Sequence, residues 1–133
     1  MAIIPHIVQS EGHKTLPGDK GTVVLQPAIG KAWVFKEMRY FAAVRKGAGI
    51  VGAINTLKVY IHHPDSGRSS EIYSLSAGPN VNVQETGTIT DKFLVASNAF
   101  PIAIEWELSP EDTIHEATWM FTFIGIEVDA EVQ

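Results

Sequence analysis

The chain has 133 residues, 45% hydrophobic and 19% charged, with no cysteine and a formal net charge of −5. That length supports one domain with its own core, and the composition excludes a disordered polymer. The lack of cysteine excludes a disulfide framework and a thiolate metal site, and the acidic balance argues against a basic stripe for nucleic acid.

All 10 Lys and Arg lie in residues 1–92, whereas residues 93–133 carry acidic side chains and no basic one. This reads as two mixed, solvated surfaces of one fold; the alternative is complementary faces that meet in an oligomer. No apolar run approaches a membrane span. No signal peptide is apparent, because the first positive charge is Lys14 and Pro5 breaks the Ala2-Ile3-Ile4 run.

Residues 1–20 form a distinct segment. Ile3, Ile4, Ile7 and Val8 are apolar and β-branched, but Pro5, Gly12, Pro17 and Gly18 argue against a long regular element. Two readings stay open, a frayed terminus and an arm lying on a neighbouring subunit. Residues 21–133 are then the folded domain.

Gly21 to Gln26 reads as a short strand stopped by Pro27. Lys31 to Val44 reads as a long strand whose apolar parity passes from Trp33 and Phe35 to Met38, Tyr40, Ala42 and Val44. A shift of one residue near Lys36-Glu37 predicts a β-bulge. Gly47 to Ala53 matches G-x-G-x-x-G, but too few residues precede the next strand for the helix that a dinucleotide site needs. It is therefore expected to be a loop between sheets.

Asn55 to His63 alternates, with Leu57, Val59 and Ile61 inward and Lys58, Tyr60 and His62 outward. Pro64-Asp65-Ser66-Gly67 is turn chemistry, and Ser70 to Leu75 returns as the hairpin partner. Val81 to Val83 is expected to be a short edge strand, and Thr88 to Val95 another strand with Phe93 and Val95 on one parity against Leu94. Ile102 to Leu108 places Ile102, Ile104, Trp106 and Leu108 inward and Glu105 and Glu107 outward. Thr118 to Val128 carries Trp119, Phe121 and Phe123 on one parity and Met120, Ile124, Ile126 and Val128 on the other, the pattern of a strand covered on both faces. The sum is an all-β, single-domain antiparallel β-sandwich of jelly-roll type with about eight strands.

No residue is assigned a catalytic, cofactor-binding or metal-binding role. His62 and His63 are neighbours on a strand and point oppositely, so they do not share a metal. Glu105 and Glu107 share a face, but as solvated carboxylates they need no catalytic explanation. No Gly-x-Ser-x-Gly elbow presents a nucleophile. Trp33, Trp106 and Trp119 fall on apolar parities and are placed in the core.

Pro27-Ala28-Ile29-Gly30-Lys31-Ala32-Trp33, the pair Leu57 to Ile61 and Ile72 to Leu75, and Ala117 to Phe123 followed by Glu127-Val128-Asp129 form a pattern. Together they resemble small jelly-roll virion proteins of tailed bacteriophages, of the capsid decoration or cement type. The pattern spans about residues 21–129 and departs at Ser109 to Ala117, which is charged and carries His115. The resemblance implies a non-enzymatic structural protein without cofactor, assembled into virions in the host cytoplasm. It implies a homo-oligomer, often a trimer, on a capsid or other virion protein, with the arm residues Ile3, Ile4, Ile7 and Val8 touching a subunit or the shell. A carbohydrate-binding or host-recognition sandwich is the alternative, for which Tyr40, Tyr60 and Tyr73 are the candidate surface. A cupin-like enzyme is a third reading that only a bound metal would revive.

Overall fold

The computed structural model describes residues 5–63, 68–91 and 94–130. These form nine strands and no helix: β1 (His6–Lys14), β2 (Lys20–Leu25), β3 (Lys31–Lys46), β4 (Asn55–His63), β5 (Arg68–Ala77), β6 (Val81–Ile89), β7 (Leu94–Ser97), β8 (Ile102–Glu107) and β9 (His115–Asp129). One sheet, A, has the order β1-β9-β3-β6 with β7 also on β3, and the other, B, has the order β2-β8-β4-β5.

Every pairing is antiparallel. β1 pairs with β9, β2 with β8, β3 with β6 and β7, and β4 with β5. The chain is thus one long antiparallel ribbon, folded back at the β4–β5 connection and wound into two layers. Because β6 and β7 lie end to end on the same edge of β3, they act as one interrupted strand. Counted so, the order is that of an eight-stranded jelly roll.

The period-two pattern accounts for the core. Leu57, Val59, Ile102, Ile104, Phe35, Met38, Phe121 and Phe123 are fully buried between the sheets. Trp106 of sheet B stacks on Trp119 of sheet A with ring centroids 5.3 Å apart, and Trp33 is buried with them, as the parities predict.

The β3 bulge lies between Phe35 and Glu37, where the sequence places it. Opposite it stands Gly125, where a Cβ would run into the Val34 carbonyl and the Phe35 Cα. The missing side chain lets the bulged backbone approach.

Four expectations change. Residues 6–14 form a regular nine-residue strand, although Gly12 was read as a breaker. The Trp119 ring lies where a Gly12 side chain would go, so the neighbouring strand covers the glycine. The expected strand Thr88 to Val95 is divided between β6 and β7, and the strand beyond the expected eight is β1. Leu94 is buried and Val95 exposed, on opposite faces as the alternation predicts; Phe93 lies outside the described residues, as do Ile3, Ile4 and the 64–67 turn. Val81 begins not a three-residue strand but a nine-residue one, although it is an edge strand. The fourth concerns β9. Its Trp119, Phe121 and Phe123 side is buried, but Met120 is exposed and Ile124 and Ile126 are only half-buried on the other side. Nothing in the described chain covers that face.

Candidate interaction surfaces

The two outer faces of the sandwich differ in chemistry. Sheet B presents Lys20, Thr22, Lys58, His62, Ser74, Ser76 and Glu107, exposed or half-exposed. Tyr60 donates a hydrogen bond to Glu105 (3.1 Å), and Lys20 pairs with Glu107 at 4.0 Å. This is the polar outer side of a solvated antiparallel sheet.

Sheet A follows that rule on its edge strands, where Gln9, Glu11 and His13 of β1 and Asn82, Gln84, Thr86 and Thr88 of β6 are exposed, and departs from it on β3 and β9. Strand register sets its outward residues in rows: Val128 beside Ala32, Ile126 beside Val34, Thr122 beside Arg39, Met120 beside Phe41, Thr118 beside Ala43, and Glu116 beside Arg45. Val95 extends the Val34 row, and Ile7 extends the Ile124 row from β1. Ile7 is 58% exposed, Val95 56% and Met120 42%. A shallow depression lined by Glu11, His13, Phe41, Thr118 and Met120 opens on this face. Arg39 and Glu37, paired at 3.4 Å, lie between the Met120 and Ile126 rows, and on β1 His13 Nδ1 is hydrogen-bonded to Thr118 Oγ1 at 2.7 Å.

Of the candidate contact residues described, Ile7 and Val8 part company. Ile7 belongs to the open face, whereas Val8 packs on the core. β1 is held along its whole length by β9, so this part of the expected arm is an edge strand.

The three tyrosines are not brought together. Tyr40 and Tyr73 pack on the core with ring centroids 4.6 Å apart, and Tyr73 donates to Glu85 (2.9 Å). Burial first, then that hydrogen bond, push the Tyr73 hydroxyl well above its usual range. Tyr60 lies across the sandwich on sheet B, and burial together with Glu105 raises its pKa also.

At the end of the sandwich where β3–β4 and β8–β9 connect, a buried polar cluster escaped the sequence reading. Lys46 is 1% exposed, and its Nζ lies 3.0 Å from Glu111 Oε1. Glu111 also accepts from the backbone N–H of Ile50 and from Ser109 Oγ (3.0 Å). The Ile50 N–H leads the effects that hold the Glu111 carboxyl below its ordinary value, with Lys46 and Ser109 adding to it against desolvation. Beside this pair, His115 Nε2 donates to the Glu111 carbonyl (2.8 Å). Its Nδ1 then faces the Asn55 amide at 3.1 Å, whose oxygen accepts from the Ser109 N–H (2.8 Å). Carrying the inward parity of Met38, Tyr40, Ala42 and Val44 one step further would have found Lys46.

The cluster is a latch. It ties the β3–β4 loop to the β8–β9 loop, and their exposed tips carry Ile50, Val51, Ile54 and Ile114. The loop glycines serve packing: a Cβ on Gly49 would strike both the Glu111 carboxylate and Lys46 Nζ, and no helix follows to make a phosphate site. Among the described residues no three His, Asp or Glu gather as metal ligands. Glu105 and Glu107 are engaged by Tyr60 and Lys20 respectively.

No family model, no curated protein and no solved structure matches the chain.

Proposed function

We propose that this protein is a structural assembly component that acts through protein–protein contacts, and that its setting is a virion, as a capsid decoration or related part. The observation that carries the assembly reading is a pair of apolar clusters on the outer face of sheet A, Met120 with Phe41 and, beyond the rows that hold Arg39 and Glu37, Ile126 with Val34, Ile124 and Ile7. Exposed apolar surface rimmed by polar residues marks a contact site, and nothing in the fold requires β9 to be apolar on both sides. The apolar loop tips, Ile50, Val51, Ile54 and Ile114, offer a second contact for a different protein. The virion setting draws on the sequence pattern and on the jelly roll, a fold also found in lectins and cupins.

Light scattering over a wide concentration range tests the assembly reading. It predicts a mass above that of the 14.5 kDa chain; a monomer at every concentration contradicts it. The recognition-module alternative gains one observation, Tyr60 and His62 in edge contact at 6.2 Å on the polar face of sheet B. Glycan binding lost in Tyr60→Ala would favour it.

A further inference from the structure

Resting on the assembly reading above, we propose that the partner on sheet A is a second copy of this chain, packed face to face about a two-fold axis parallel to the strands between β3 and β9.

Such an axis places β9 of one copy over β3 of the other, row by row. Met120 then meets the partner copy's counterpart of Phe41, Ile126 that of Val34, and Val128 that of Ala32. Every contact occurs twice. At one end of the rows Glu116 meets the counterpart of Arg45, again twice, so opposite charges face each other there, and in the middle Arg39 meets the counterpart of Thr122. Glu37 falls opposite Ile124, and its charge stays paired with Arg39 of its own chain.

Size supports the same occupant. The outer face of β1, β9, β3 and β6 has a footprint of roughly 700–900 Å² from strand spacing and rise, against about 800 Å² per partner in a stable interface. Two twisted sheets stack at a small angle in this way, and the Met120 thioether adapts to the shallow depression of the facing copy. The resemblance to decoration proteins implies trimers, but these rows are self-complementary about a two-fold, so the contact is isologous.

Sedimentation equilibrium on the full chain tests this, with circular dichroism to verify folding of each variant. Met120→Asp, at an exposed position, should keep the fold and weaken self-association at least tenfold. Arg45→Glu and Glu116→Arg should each weaken it about tenfold, and an equimolar mixture of the two should recover wild-type association, because each like-charged contact becomes an opposite one. Wild-type association unchanged by Met120→Asp overturns this interface while leaving the assembly reading intact. Failure of the mixture to recover overturns the two-fold placement. A monomeric wild type overturns both and hands the face to a different protein.

Discussion

Gly125 and Trp119 show how single positions in β9 are constrained from outside the strand. Gly125 faces the β3 bulge, and its missing side chain is filled by the Val34 carbonyl. Gly125→Ala should therefore force the bulge open, at a cost of about 1–3 kcal/mol, measured as a shift of the urea midpoint. Trp119 is 2% exposed, stacks on Trp106 and covers Gly12 on β1. Trp119→Ala should cost about 3–5 kcal/mol, and loss of protection of the β1 amides in hydrogen exchange should accompany it. The parity of the aromatics in β9 and the bulge in β3 were legible, because both are period-two signals within one strand. The soundness of Gly12 inside β1 was not, because its cover comes from a residue more than a hundred positions away.

Among the elements, the latch between the β3–β4 and β8–β9 loops governs one end of the sandwich. Glu111 is held below its ordinary value of 4.5. A carboxyl depressed on folding binds fewer protons in the native state than in the unfolded chain. Its stabilisation is thus present above about pH 4.5 and is lost as pH falls through the folded value. Glu111→Gln should lower Tm at neutral pH, and the gap from wild type should narrow steadily below about pH 4.5; a gap independent of pH contradicts the latch. Gly49→Ala should also lower Tm, since its Cβ displaces the carboxylate or the ammonium, and the loss should shrink in a Glu111→Gln background where the pair is already broken. The latch was invisible in sequence because its members are far apart in the chain: Lys46 ends one strand, Glu111 sits in a loop and His115 opens another. The strands themselves, β4 and β8 above all, were legible because their inward residues alternate without interruption.

For the whole molecule, ribbon topology explains the uneven charge of the chain. The acidic last third supplies β8 and β9, central strands of their sheets, which lie beside the basic strands β2, β3 and β4. Glu107 meets Lys20, Asp129 meets Lys31, Glu111 meets Lys46, and Glu116 stands opposite Arg45. An asymmetry along the sequence becomes cross-strand pairing in space. The apolar outer side of β9 was read as covered by the fold, since a strand closed on both faces and a strand closed by a neighbour have the same composition. The described chain supplies only one of the two covers.

The most direct measurement of whether that face is covered in the assembled protein is the rate of Met120 oxidation by peroxide at increasing protein concentration, read by mass spectrometry against the fully buried Met38. The assembly account predicts that Met120 oxidises quickly in dilute protein and becomes protected, approaching Met38, as concentration rises. An unchanged Met120 rate from dilute to concentrated protein would contradict it.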